Sequence, residues 1–172
     1  ANGEAVFDAD LPLGIYYVKE LEAPAGYVKD ETPVKIDLGA GIPEKVAAQI
    51  SEREELELTV DPDGSNVMYL TVSDIQTTVE ISKQDVTDCA EIPGAKLTVF
   101  DEQEHIVDTW TSGEKPHSIR GLEPGHAYIL REETAPFGYV VAEDVTFTVE
   151  NTGEVQPVHM FDKHAMGQLR IE

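Results

Sequence analysis

From Thr78 onward, turn residues at regular spacing cut the chain into short alternating segments, and this punctuation constrains the fold more than any other feature. Thr78-Val79-Glu80-Ile81-Ser82-Lys83 alternates with period 2, as do Ala95 to Phe100 and His105 to Trp110. Ser118-Ile119-Arg120 is short, Tyr128 to Glu132 runs extended, Val145 to Val149 puts Val145, Phe147 and Val149 on one face, and Val155 to Phe161 follows. Between them stand Ile92-Pro93-Gly94, Ser112 to Pro116, Glu123-Pro124-Gly125, Ala135-Pro136-Phe137-Gly138-Tyr139 and Asn151-Thr152-Gly153-Glu154. That is about seven strands in about 85 residues, the pattern of an all-β sandwich.

The chain also repeats itself. Leu11-Pro12-Leu13-Gly14-Ile15-Tyr16-Tyr17-Val18-Lys19-Glu20-Leu21-Glu22-Ala23-Pro24-Ala25-Gly26-Tyr27 recurs as Leu122 to Tyr139, one residue longer near His126. Glu20 matches Glu132, Pro24 matches Pro136 and Tyr27 matches Tyr139. Repeated domains favour a stalk or array over an enzyme. The boundaries that follow are a partial domain over 1–77, a complete one over 78–164, and a linker or the opening of a further domain over 165–172, where Gly167 to Ile171 reads as a new strand. Only ten residues precede the first copy, so its opening strands are expected to be missing. It carries an insertion read as a helix around 43–55, with Val46, Ala47 and Ile50 on one face, then a strand Leu56 to Val60, a turn at Asp61 to Gly64 and a closing strand Val67 to Asp74.

Charge and cysteine content narrow the function classes. The 172 residues hold 12 Lys plus Arg against 34 Asp plus Glu, a formal net charge of −22. That field repels nucleic-acid phosphates and anionic lipid, so neither nucleic acid nor membrane is expected as a partner. At 41% hydrophobic residues a packed core is possible, no apolar run is long enough to span a bilayer, and no export leader opens the chain. The single cysteine, Cys89, excludes an internal disulfide and Cys-rich zinc modules. The five His residues, 105, 117, 126, 159 and 164, have no metal-ligand spacing, and neither a metal nor a cofactor is expected. Asp61-x-Asp63-Gly64-x-Asn66 has the flavour of a calcium loop but lacks the closing Glu, and reads better as a hairpin turn.

Four motifs now converge: Ser82-Lys83-Gln84-Asp85, Ile92-Pro93-Gly94-Ala95, the Leu-x-Pro-Gly-x-x-Tyr-x-Leu-x-Glu segment ending at Glu132, and Ala-Pro-x-Gly-Tyr. Together they resemble the Cna B-type domain of Gram-positive surface adhesins and pilins, over all of 78–163 and most of 1–77. The resemblance implies tandem prealbumin-like, or reverse immunoglobulin-like, β-sandwiches, the first incomplete at its N-terminus. It also implies a spontaneous isopeptide bond between a Lys near the domain start and an Asn or Asp near its end, assisted by an acid. Carried over, the crosslink falls on Lys83 and Asp162, and the assisting acid on Glu132. The acceptor is Asp rather than the commoner Asn, so water rather than ammonia would leave.

The chemistry explains these residue types. An ammonium is no nucleophile, and burial disfavours the charged amine while favouring a neutral carboxylic acid. Glu132 can carry the proton from amine to leaving group, and the fold supplies effective molarity. Phe100, Trp110, Tyr128, Phe147 and Phe161 are the expected lining. The competing reading is an ordinary surface ion network, worth little; against it, Lys83 follows Val79 and Ile81 in alternation, which turns it inward. In the first copy the transfer is partial. Glu20 and Asp74 form an incomplete site, because Lys19, the one upstream Lys, points to the other face.

The resemblance implies an extracellular, cell-wall or cell-surface location and a structural stalk or shaft role, with neighbouring domains or subunits of the same surface protein as partners. The alternative is an adhesive module that itself grips a host extracellular protein, which an exposed apolar or aromatic patch would favour. An enzyme would show an open pocket with paired carboxylates; beyond one autocatalytic turnover, no enzymatic activity is expected.

Overall fold

Residues 11–40, 56–60, 68–167 and 170 are described by a computed structural model. Apart from one 3-10 turn at Leu38–Ala40, the regular elements of the described residues are strands. By contact the chain divides into two units: Ala1–Ala23 with Lys29–Asp74, and Pro24–Val28 with Ile75–Glu172. The helix expected around 43–55, the Asp61–Asn66 turn and most of the strand expected after Gly167 lie outside the described residues.

In the first unit, β1 (Ile15–Val18) pairs antiparallel with β2 (Val34–Asp37), and β3 (Leu56–Val60) with β4 (Met68–Val72). Val34 and Leu56 are buried together, with Ile36 and Leu70 packed against them. β3 matches its sequence expectation residue for residue; β2 had no turn motif to announce it.

The second unit contains eight strands: β5 (Thr78–Asp85), β6 (Lys96–Phe100), β7 (Ile106–Thr111), β8 (His117–Arg120), β9 (Ala127–Thr134), β10 (Tyr139–Val140), β11 (Val145–Thr148) and β12 (Val155–His164). They form two four-stranded sheets, ordered β10-β12-β5-β8 and β11-β9-β6-β7. β-branched and aromatic residues at alternate positions favour the pleated conformation, and their inward faces make the core. Val79, Ile81, Ile119, Val158 and Met160 come from the first sheet, Leu97, Val99, Tyr128 and Leu130 from the second. The first and last strands of this unit, β5 and β12, lie side by side and parallel, Thr78 opposite Val155 and Asp85 opposite Asp162. Turns are set by residues that tolerate unusual backbone: Gly94 sits at φ +96° after Pro93, and the buried Ser112 hydroxyl donates to Ile92 O (2.6 Å) while accepting from Ala95 N (2.8 Å).

Leu130 is fully buried at the centre of β9, whereas Val107 lies exposed on β7, at the sheet edge. Leu130→Ala should therefore destabilise the unit by about 3 kcal/mol, read as a fall in the urea midpoint. Val107→Ala should shift that midpoint by less than about 0.5 kcal/mol equivalent.

Candidate functional site

Three inward positions from three strands meet in the core of the second unit. β5 carries Lys83, β9 carries Glu132 and β12 carries Asp162, at 1%, 3% and 0% exposure. Each arrives there by alternation. Val79, Ile81 and Lys83 are buried along β5; Tyr128, Leu130 and Glu132 along β9; Val158, Met160 and Asp162 along β12. A bulge follows Glu132: opposite β6, the partner of Lys96 is Thr134 while the partner of Leu97 is Glu132, so Glu133 is passed over.

The Lys83 Nζ donates to Asp162 Oδ1 and stands 3.3 Å from Glu132 Oε1. Glu132 Oε2 accepts the Ala142 amide at 2.6 Å, which fixes the carboxyl. Glu132 Oε1 and Asp162 Oδ2 have no hydrogen-bond partner among the described residues. Burial pushes the Glu132 carboxyl up from its ordinary range; the Ala142 amide and Lys83 pull against this, and the charge of Asp162 adds to the rise. Fully ionised, one ammonium and two carboxylates would leave a net negative charge in a dry core, and retaining one further proton removes it.

The aromatic lining differs from expectation. Tyr128 is buried, and Trp110 and Phe147 pack against the core. Phe161 is exposed and stacks on His159, because Asp162 points in and its neighbour must point out. Phe100 lies under the Arg131 guanidinium, 4.9 Å from the ring centroid, rather than over Lys83. In the first unit Glu20 is half-buried and its carboxylate accepts the Asp30 amide at 2.7 Å, while Lys19 and Asp74 are exposed.

The family model described as the SpaA prealbumin-like fold domain matches residues 1–52 and 77–164. The chain belongs to this family. Among solved structures, it is similar to the Bacillus anthracis TIE protein at 26% identity and a TM-score of 0.51, covering 90% of this chain and 26% of that one. It is also similar to a C-terminal fragment of the pilus adhesin SpaC from Lactobacillus rhamnosus GG, at 18% identity and a TM-score of 0.51, covering 94% of this chain and 81% of that one. The group B streptococcus pilus 2b backbone protein matches at 15% identity and a TM-score of 0.49, over 65% of this chain and 50% of its own. The chain spans about a quarter of the TIE protein's length. No curated protein matches the sequence.

Beside its buried trio, this SpaA prealbumin-like domain has a second polar cluster that sequence reading did not assign. Asp85, the register partner of Asp162, is buried. Its Oδ1 accepts from the Thr87 hydroxyl (2.5 Å) and amide (2.7 Å); its Oδ2 accepts from the Tyr139 hydroxyl (2.8 Å) and lies 2.9 Å from His164 Nε2. Tyr139 and His164 stack, ring centroids 4.7 Å apart. The cluster ties the ends of β5, β10 and β12 together. One signal for it was available: Asp85 lies two residues beyond Lys83 on the same strand face.

The Thr87 hydroxyl and amide above all hold the Asp85 carboxyl down at about 2, against an ordinary 3.8. A carboxyl depressed on folding stabilises the fold above its unfolded value, and that contribution fades as pH falls through the folded value. Asp85→Asn should thus lower the urea midpoint at pH 7. The gap between variant and parent should close as pH drops from about 4 to about 2.

Proposed function

We propose that the chain is a structural stalk or shaft segment of a Gram-positive cell-surface adhesin or pilin, extracellular and held at the cell wall, whose second unit is locked by an isopeptide bond between Lys83 and Asp162. The single observation behind the crosslink is the buried trio: an amine on the first strand of the unit, a carboxyl on the last, and a second carboxyl 3.3 Å from the amine. The stalk reading rests on family membership and the internal repeat. Partners on this reading are neighbouring domains or subunits of the same surface protein.

The step balances without a cofactor. The lone pair of a neutral Lys83 Nζ attacks Asp162 Cγ in its carboxylic acid form, and a C–N bond forms as a C–O bond breaks. Glu132 takes a proton from the nitrogen and delivers one to the departing oxygen, which leaves as water, so Glu132 ends unchanged. Condensation removes one Asp162 oxygen, and Oδ2 is a buried acceptor without a partner, whose desolvation costs about 1–3 kcal/mol while it remains. The reaction happens once per molecule, so the domain is not an enzyme in the turnover sense.

The purified chain should weigh one water less than its sequence. Lys83→Ala should weigh what its own sequence weighs, and so should Glu132→Ala, which lacks the proton carrier. Asp162→Asn should still condense, losing ammonia. The bond joins residues 79 apart, so its absence in Lys83→Ala should cost about 4 kcal/mol in a chain-entropy estimate borrowed from disulfides. A full, unreduced mass for the parent chain rejects the crosslink.

A further inference from the structure

The second unit holds two copies of the same corner, and they differ in what covers them. The corner of the first repeat copy, Pro24–Val28, belongs by contact to this unit. Gly26 is buried at φ +79°, and a Cβ there would meet the Gly121 carbonyl oxygen at 2.3 Å. Its own carbonyl accepts the Thr77 amide at 3.1 Å, and Tyr27 bridges to Gln76. Thr77 is fully buried: its hydroxyl donates to Leu122 O at 2.5 Å, and its carbonyl accepts the Gly121 amide at 3.0 Å. A Gly-Leu turn is thereby seated on a glycine corner.

The corner of the second copy, Ala135–Tyr139, repeats this backbone bond for bond. Gly138, at φ +90°, accepts the Ala165 amide at 2.8 Å, as Gly26 accepts Thr77. Tyr139 pairs with His164 as Tyr27 pairs with Gln76. The Tyr139 amide donates to Pro136 O at 3.1 Å, and the Tyr27 amide to Pro24 O at 3.0 Å. Yet Gly138 and Ala165 are exposed, and nothing lies within 4 Å of a Cβ built on Gly138. Phe137 and Met166 beside them are almost wholly in solvent. A large aromatic and a methionine flanking an exposed, left-handed glycine mark a surface fit for contact.

We propose that the Ala135–Tyr139 corner together with Ala165 is a docking seat for a further module of this same fold, which places its own Gly-Leu turn on Gly138 as Gly121-Leu122 sits on Gly26. The occupant is a module in series rather than a second copy of this chain, because in every copy Gly121 already faces Gly26. The incoming glycine amide donates to Ala165 O, as Gly121 donates to Thr77 O. Ala165 has no hydroxyl, so this seat forms one hydrogen bond fewer than the one at Thr77. The proposal rests on the serial-module part of the stalk reading and is independent of the crosslink.

The test is hydrogen exchange on the full chain extended by a duplicate of residues 78–164 placed directly after Ala165. The 135–141 segment, expected from its exposure to exchange faster than 24–28 in the chain itself, should slow to the level of 24–28, and Gly138→Val should abolish that gain. Unchanged exchange at 135–141 in the folded extended chain overturns the proposal, as does protection that survives Gly138→Val. If the extended chain does not fold, Gly26→Ala in the chain itself decides: it should cost protection at 24–28 and Thr77, and retained protection overturns the seat. Intact mass, which reads the crosslink, is unaffected by any of these outcomes, so the two readings fail separately.

Discussion

An amine buried between two carboxyls is the constraint on which the rest of the second unit depends. Lys83 and Asp162 lie on adjacent parallel strands of one sheet, and Glu132 comes from the opposite sheet. The trio therefore ties strands within a layer and the two layers to each other. Its cost is high, since removing one partner from a buried charged set strands the others, typically at about 3–5 kcal/mol. The surrounding structure answers that cost with an amide aimed at Glu132 and with a β9 alternation that turns it inward, a bulge following it at Glu133. Apolar neighbours, among them Leu97 opposite Glu132 and Met160 opposite Lys83, keep water out.

The repeat is a repeat of geometry as well as of letters. Glu20 holds the amide ten residues on, at Asp30, as Glu132 holds Ala142 ten residues on. Tyr27 and Tyr139 close their corners with the same backbone bond to the proline three residues back. The same chain solution thus anchors the matching acid in both copies. In the second copy it serves a completed trio; in the first, Glu20 is only half-buried. Reuse of one local solution in two settings separates what the corner does for folding from what the trio does chemically.

Period-2 alternation made much of this legible. It turned Lys83 inward, while Glu132 and Asp162 were reached through the family motifs rather than through periodicity, and it drew every strand of the second unit except β10 to within a few residues of its ends. It failed where residue identity was allowed to outrank it. Phe100 and Phe161 were assigned to the site lining because they are aromatic, although Val99 and Asp162 beside them already held the inward positions. The Asp85 cluster was hidden for another reason: Tyr139 is 54 residues from Asp85, and only the parallel pairing of β5 with β12 brings His164 alongside. No local pattern encodes that pairing, because parallel neighbours require a long crossover. The two-residue β10 is likewise too short for any periodicity to reveal.

Parallel pairing of the first and last strands gives the proposed crosslink its mechanical sense. On the proposed stalk reading, tension would enter the unit at Thr78 and leave beyond His164, at opposite ends of two neighbouring parallel strands, and so would shear their ladder. Hydrogen bonds loaded in shear must break together, but they still break. A covalent bond from Lys83 to Asp162 changes the path: force runs along β5 for a few residues, crosses to β12, and exits through its last residues. Everything between Lys83 and Asp162, including β6 to β11 and nearly all of the core, then carries no tension. Asp85, Tyr139 and His164 sit just past the crossing point, where β12 leaves the sheet. There they brace the short segment that remains loaded. Through the proposed bond a Cys-free core would gain what a disulfide provides, without an oxidant and with a link that reducing conditions do not cleave.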